Sequence, residues 1–185
     1  EIFHPKITVQ HEGIDTEHLG RDPNAWVKKR SGIVLTAGDP VVTYVARNLE
    51  PYRGFHIFMR ALEKLQERHK TVHALIVGGD DVSYGKRPKD APNWREKMLR
   101  EVKLDPARTH FLGRVPRTQY IKVLQVSATH VYLMYPFVLS WSLLEAMACG
   151  AAIVASDTAP VREVIGDGTN AMVTSFFDTE LLADR

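Results

Sequence analysis

The stretch VVTYVARNLEPYRGFHIFMRALEKLQERHKTVHALIVGG, residues 41–79, decides the fold. Short apolar runs rich in β-branched residues open and close it, at 41–46 and 72–77, and such runs are typical of buried strands. The segment between them carries apolar residues at helical spacing, namely Phe55, Phe58, Leu62 and Leu65. Strand, helix and strand in this order predict a βαβ unit of a parallel sheet.

The same alternation continues along the rest of the chain. Amphipathic stretches predict helices, and apolar runs predict strands, in the order helix 94–102, strand 109–112, helix 117–125, strand 130–134, helix 142–148, strand 152–155 and strand 171–174. We therefore predict an α/β fold, a Rossmann-like parallel sheet of about six strands with helices on both faces.

The composition is that of one globular domain. The chain has 185 residues, of which 44% are hydrophobic and 25% charged. Its 24 basic and 22 acidic residues are interspersed, so a nucleic-acid partner is not indicated. A single cysteine, Cys149, excludes an intrachain disulfide, and nothing resembles a secretory signal or a transmembrane span. These features predict a reducing, cytoplasmic setting.

Function is expected at the carboxyl ends of the strands, where open parallel sheets bind their ligands. The polar stretch 78–93 is too rich in Gly, Pro, Asp and Lys for regular structure and is a candidate ligand-side loop. Arg47 and Arg53 lie in the predicted turn between the first strand and its helix. A guanidinium donates two parallel hydrogen bonds to a phosphate and keeps its charge, so these arginines are candidate phosphate ligands. The alternative is a solvated turn with ordinary arginines.

Two further segments follow predicted strands. In FLGRVP, residues 111–116, Gly113 permits close approach of the backbone to a flat ligand, although a plain turn explains the same residues. YPFVLSWSLLEAMACG, residues 135–150, predicts a helix N-terminus whose free amide groups bind an anion, with the hydroxyls of Ser140 and Ser142 beside it. Glu145 stands three residues after Ser142, so a capping box is the structural alternative there.

No metal or redox site is indicated. Asp80 and Asp81 have no histidine or third carboxylate at ligand spacing, which favours solvated loop acids. Cys149 lacks the positive surroundings of a reactive thiol and is interpreted as a buried structural residue. No glycine triad follows the first strand, so a dinucleotide-binding oxidoreductase is disfavoured.

Taken in order, these segments resemble the C-terminal domain of glycosyltransferase family four, whose members have the GT-B architecture of two facing Rossmann-like domains. The resemblance rests on QHEGIDTEHL (10–19) as an interdomain linker, VARNLEPYRGF (45–55) as a phosphate arm, FLGRVP as a base-binding turn, and LLEAMACGAAIVASD (143–157) followed by REVIGDGTNAMV (162–173). It implies a linker and leading strand at 1–20 and a nucleotide-sugar-binding domain at 21–185, cut at both ends.

The resemblance also implies roles for individual residues. Arg47 occupies the position of the family's diphosphate-binding arginine, and Arg53 stands where the family usually has lysine, so both are expected to act on the departing diphosphate. Glu145 matches the glutamate that accepts hydrogen bonds from the ribose hydroxyls. The remaining nucleotide contacts are expected from the base-binding turn, at Gly113, Arg114 and Val115.

The chain departs from the family's pattern at the donor sugar. The first glutamate of the family's pair is replaced by Phe137, which removes a carboxylate contact to the sugar hydroxyls. The glycine-rich loop is replaced by Val138, Leu139 and Ser140. The backbone amides of Trp141 and Ser142 are still expected to hold the distal phosphate.

The function implied is that of the donor-binding domain of a retaining, metal-independent glycosyltransferase, moving a sugar from a nucleoside diphosphate sugar to an unknown acceptor. No cofactor is expected. An N-terminal acceptor domain of the same protein is expected to be missing, so the isolated chain should be inactive, and any contact with a membrane surface should come through that missing domain. The alternatives are a non-catalytic sugar-nucleotide-binding module and another GT-B enzyme, such as a nucleotide-sugar epimerase or a phosphorylase.

Overall fold

The computed structural model describes residues 12–29, 32–135 and 138–185. Its strands and helices alternate as the sequence predicts, and their bounds in chain order are β1 (Trp26–Lys28), β2 (Val34–Thr36), β3 (Val41–Asn48), a 3-10 turn (Pro51–Arg53), α1 (Phe55–Arg68), β4 (His73–Gly79), α2 (Trp94–Glu101), β5 (Thr109–Gly113), α3 (Arg117–Gln125), β6 (Thr129–Tyr132), α4 (Trp141–Ala148), β7 (Ala152–Ser156), α5 (Ala159–Arg162), β8 (Met172–Thr174) and α6 (Thr179–Asp184).

Six strands form one parallel sheet, in the order β5-β4-β3-β6-β7-β8. The chain starts in the middle at β3, winds outward through β4 and β5, and returns to the other side of β3 with β6. Helices cover both faces: α1, α2 and α6 pack on one, and α3, α4 and α5 on the other. The predicted Rossmann-like α/β fold is therefore confirmed.

A left-handed glycine sets the start of α1. Gly54 has φ 73° and ends the short 3-10 turn. A Cβ placed at this position would lie 2.3 Å from the Cβ of Leu133, so the chain needs glycine both for its backbone conformation and for space. Helix α1 then buries Phe55, Phe58 and Leu62 against the sheet residue Tyr44 and its neighbours.

A small hairpin was not predicted. Strands β1 and β2 pair antiparallel, with Trp26 opposite Thr36. Each strand has three residues and buries only its middle one, Val27 or Leu35, which leaves too little alternation for a sequence pattern to show. The parallel sheet and helix α3 supply its apolar partners, Val41, Leu75 and Val123 among them.

Two expectations about the chain's local structure need correction. Strand β3 continues to Asn48, which pairs with Gly79 after a register shift, so Arg47 lies in the strand and not in the following turn. Of the linker and leading strand expected at 1–20, residues 1–11 lie outside the described residues, and 12–20 form no strand. Across the described ranges, no helix combines the length and the apolar character needed to cross a membrane.

Candidate functional site

An open cavity of about 730 Å³ lies at the carboxyl edge of the sheet. Strand β3 contributes Arg47 to its wall, the turn after β5 contributes Arg114 and Val115, and the first turn of α3 contributes Arg117 and Tyr120. The sheet order brings these residues together, because β3, β4 and β5 are consecutive neighbours whose carboxyl ends point the same way. The cavity is rich in guanidinium groups, which suits an anionic ligand.

Glu145 is buried beside this cavity, with 6% of its surface exposed. The Tyr120 hydroxyl donates a hydrogen bond to its Oε2, and Arg117 Nη1 lies 2.6 Å from its Oε1. Burial, together with this bond to the carboxylate, raises the pKa of Tyr120 above its ordinary value, so the phenol remains a donor. The carboxylate is thus held in place by two partners that also line the cavity.

The capping-box interpretation of Glu145 is wrong. The N-cap residue of α4 is Ser140, and its side chain makes no capping hydrogen bond. Ser142 is the second residue of the helix, and its hydroxyl contacts the Ser140 hydroxyl at 3.1 Å. Because the helix begins earlier than predicted, Glu145 faces α3 and not the helix start.

The first amides of α4 are open. The Ser140 amide donates to the Tyr132 hydroxyl at 2.8 Å, whereas the Trp141 and Ser142 amides have no acceptor among the described residues. They belong to the first turn, whose N–H groups have no partner within a helix. Phe137, the replacement of the family's first glutamate, lies outside the described residues.

Arg47 and Arg53 are not side by side. Arg47 is exposed on the cavity wall, whereas Arg53 is not among the lining residues and lies on the α1 side of the sheet edge. The buried Tyr44 hydroxyl donates to the Arg53 carbonyl at 2.6 Å and fixes the backbone of the turn. Across the described ranges, no carboxylate lies within 4.0 Å of either guanidinium.

Arg53 is held by weak, neutral partners. Its Nη1 is 3.2 Å from the sulfur of Met134, and its guanidinium carbon is 5.1 Å from the ring centroid of Tyr84. The Met134 sulfur also accepts a hydrogen bond from the Tyr132 hydroxyl at 3.7 Å. The same hydroxyl accepts a hydrogen bond from the Ser140 amide. Arg53 is therefore connected to the start of α4 through Met134 and Tyr132.

The turn that the sequence predicts to bind the base has an open backbone at Gly113. Gly113 ends β5 with φ 67°, and no atom lies within 4 Å of the place where a Cβ would stand, so its face is open. Arg114 donates to Asn48 Oδ1 at 2.9 Å and lies 3.9 Å from Asp81. Through these contacts the Arg114 side chain extends from the end of β5 towards the ends of β4 and β3.

Asp80 and Asp81 each form an ion pair with an arginine. Asp80 lies 2.8 Å from Arg95, and Asp81 lies 2.6 Å from Arg87. The described part of the chain contains no cluster of three potential metal-ligating side chains.

Burial raises the pKa of the Cys149 thiol to about 11, so the thiol stays protonated at neutral pH.

Sequence reasoning missed several residues of this region. Arg117 and Tyr120 were predicted only as part of a helix, although their i,i+3 spacing directly after FLGRVP places both side chains on one face. Glu50 and Tyr84 lie in a turn and a loop, where no periodicity marks them. Only the tertiary structure shows that Arg117, Tyr120 and Tyr84 contact predicted site residues and that Glu50 bonds to the loop that carries Tyr84.

The fold is shared with GT-B glycosyltransferases of known structure. HepE from Anabaena, solved in complex with UDP-glucose, superposes with a TM-score of 0.66 at 24% identity, covering 80% of this chain and 38% of HepE. The C-terminal domain of LpcC, a glycosyl transferase group 1 family protein from Francisella tularensis, superposes with a TM-score of 0.71 at 17% identity, covering 93% of this chain and 85% of that one. At these identities the likeness shows the fold alone.

The family follows from the sequence itself. The profile described as Glycosyl transferases group 1 matches residues 28–185, and the chain belongs to this family. It is 33% identical over 147 residues to the phosphatidyl-myo-inositol mannosyltransferase of Mycolicibacterium smegmatis, covering 77% of the chain and 34% of the relative. It is 26% identical over 157 residues to the D-inositol 3-phosphate glycosyltransferase of Nocardia farcinica, covering 84% and 34%. The chain thus spans about a third of the length of these curated relatives.

Proposed function

We propose that this chain is the nucleotide-sugar-binding, C-terminal half of a retaining enzyme of glycosyltransferase family four. One observation carries the proposal: a cavity at the carboxyl edge of the sheet brings Arg47, which has no carboxylate partner among the described residues, together with Tyr120 and Arg117, the two residues that hold Glu145. A nucleoside diphosphate presents an anion and a pair of vicinal hydroxyls, which are the groups that these side chains recognise. The UDP and UDP-glucose complexes of the structural neighbour HepE support the same ligand class.

The proposed role of each residue follows from its charge. Arg47 meets the diphosphate as negative charge builds on the leaving group, and Arg53 and the free amides of α4 add further positive field. Glu145, held by Tyr120 and Arg117, accepts from the ribose hydroxyls. The turn of Gly113, Arg114 and Val115 offers its open backbone to the base. No metal ion or cofactor is needed for these roles, and the leaving group departs and the acceptor attacks on the same face of the sugar.

The whole enzyme is proposed to need a second domain, because the acceptor and its activating groups are expected from the facing half of a GT-B enzyme. By itself the chain should bind the donor and transfer nothing. The cytoplasm is the proposed location. A non-catalytic sugar-nucleotide-binding module is the second candidate, and the replacement of the family's first glutamate by Phe137 is the observation that favours it. Transfer by the full-length protein from a panel of donors separates the two.

Binding of the donor is tested by calorimetric titration with UDP, GDP, ADP and the matching nucleosides. We expect one diphosphate to bind, and Arg47→Ala to weaken that binding by roughly 10- to 100-fold, the range for a charged hydrogen bond, with nucleoside affinity unchanged. The matched control is Arg60→Ala, because Arg60 pairs with Glu101 on the distant surface of α1. If no diphosphate binds, or if both variants lose affinity equally, the proposal is wrong.

A further inference from the structure

A buried carboxylate fastens the loop between β4 and α2 to the end of β3. Glu50 is 0% exposed, and it accepts backbone N–H bonds from Ser83, Tyr84 and Gly85 at 3.0 to 3.2 Å. Asn48 adds a bond from its side-chain amide to the Ser83 hydroxyl at 2.8 Å. An ionised carboxylate is costly to bury unless it is hydrogen-bonded, and this one is bonded to three consecutive residues, so it defines their conformation.

The hydrogen bonds to Glu50 place Tyr84 against Arg53. The guanidinium stacks over the ring at 5.1 Å, and Arg53 Nη2 is 3.5 Å from the phenol oxygen. About half of the Tyr84 surface, 48%, stays exposed. The ring orients the arginine without neutralising its charge, since a cation–π contact leaves the N–H groups in the guanidinium plane able to bind an anion.

We propose that Tyr84 is a further ligand of the distal phosphate of the sugar nucleotide, beside the Arg53 that the proposed function already assigns to the diphosphate, and that Glu50 is the residue that positions Tyr84. The proposal rests on the function proposed above and extends the donor site to the loop of 80–93. The Tyr84 hydroxyl adds a donor to the phosphate oxygens that Arg53 binds.

Glu50 acts only through the loop. Its carboxylate is fully buried and occupied by the backbone of 83–85, so it does not touch a ligand. Its replacement by glutamine puts an amide NH2 in place of one acceptor oxygen and weakens the bonds that the other oxygen accepts from the backbone of 83–85, which should loosen the placement of the Tyr84 ring and hydroxyl. Because the ring also orients Arg53, the effect of Glu50 on phosphate binding should become smaller when the Tyr84 hydroxyl is already absent.

The experiment compares UDP, GDP and ADP with their monophosphates by calorimetric titration of the whole 185-residue chain. The preference for the diphosphate over the monophosphate measures the distal-phosphate contact. Tyr84→Phe keeps the ring under Arg53 and removes only the hydroxyl, and we expect it to lower this preference roughly 10- to 100-fold, the range for one hydrogen bond to a charged group. Monophosphate affinity should not change.

The matched control is Tyr52→Phe. Tyr52 is equally exposed, at 49%, and its ring packs edge-on against Tyr135, whereas Arg53 stacks on Tyr84, so the Tyr52 variant should keep the wild-type preference. Glu50→Gln should also lower the preference, and the combined loss in the double variant should be smaller than the product of the two single losses. Independent losses in the double variant would refute the positioning role of Glu50.

Two outcomes separate this inference from the proposed function. If wild-type chain binds a diphosphate and Arg47→Ala weakens it, but Tyr84→Phe keeps the full diphosphate preference, the distal-phosphate subsite is wrong and the proposed function stands. If the wild-type chain binds no nucleoside diphosphate, both are wrong. Should Glu50→Gln fail to fold, the result for Tyr84→Phe decides the subsite alone.

Discussion

Replacement of Glu145 by glutamine separates the ribose contact from the contacts within the fold. Glutamine keeps one acceptor oxygen, so it still accepts from Tyr120, but it loses the charge that a ribose hydroxyl would meet. A hydrogen bond to a charged group contributes about 1.5–3 kcal/mol. Arg117 already pairs with Oε1, so a ribose hydroxyl would share the carboxylate with it and its own hydrogen bond would be weaker. We therefore expect a loss of about 1–2 kcal/mol in the free energy of nucleotide binding, roughly 5- to 30-fold in Kd.

The same substitution also acts on stability. It turns the ion pair with Arg117 into a contact between a neutral amide and a guanidinium. The Arg117 side chain is 54% exposed while that of Glu145 is 8% exposed, so solvent screens one end of the pair and the loss should be about 1 kcal/mol. For a chain of this size that lowers the Tm by roughly 2–4 °C.

Titration calorimetry and thermal melting of the same protein samples measure both effects. The control is Glu101→Gln, which removes the surface pair with Arg60 and should leave affinity unchanged with a smaller shift in Tm. A lowered Tm with unchanged nucleotide affinity would show that Glu145 serves only Tyr120 and Arg117. That result would refute the ribose contact.

Three further outcomes are expected. Gly54→Ala should lower the Tm far more than Gly113→Ala, because a Cβ clashes with Leu133 only at the first position, although both glycines have positive φ; equal losses would contradict this packing. Burial lowers the pKa of His130 from 6.5 to about 4, so between these values the unfolded chain binds a proton that the folded chain excludes, and stability should fall as pH drops from about 6.5 towards 4. His130→Gln should flatten that decline in melts recorded against pH. Nucleotide affinity should survive a chelator, and restoration of lost affinity by magnesium would bring Asp80 and Asp81 back as ligands.

Much of the fold was predictable because parallel strands and their covering helices carry long, regular apolar patterns. The helix at 117–125 was predicted at its observed bounds, and the strand ends elsewhere differ by one or a few residues. The hairpin of β1 and β2 was missed because each strand contributes a single buried side chain. Its stability comes from the core residues beneath it, which lie far away in the sequence.

The site residues also include some that the sequence pointed to and some that it did not. Arg47 and Glu145 were singled out by the family resemblance, and their roles stay a prediction. Their partners were not found. Tyr120 reaches Glu145 across 25 positions, and Glu50 reaches the loop at 83–85 across more than 30.

The sequence by itself predicted the main alternation of strands and helices between residues 41 and 174, and with it the parallel sheet and the sheet edge where a ligand is expected, since hydrophobic periodicity is a local property. The tertiary structure decided what each charged side chain does there. It showed that Glu145 is held by Arg117 and Tyr120 instead of capping a helix, and that Arg53 stacks on Tyr84. The physical reason is that the burial and pairing of a charge depend on which distant side chain the fold brings within hydrogen-bonding distance, and spacing along the chain does not record that distance.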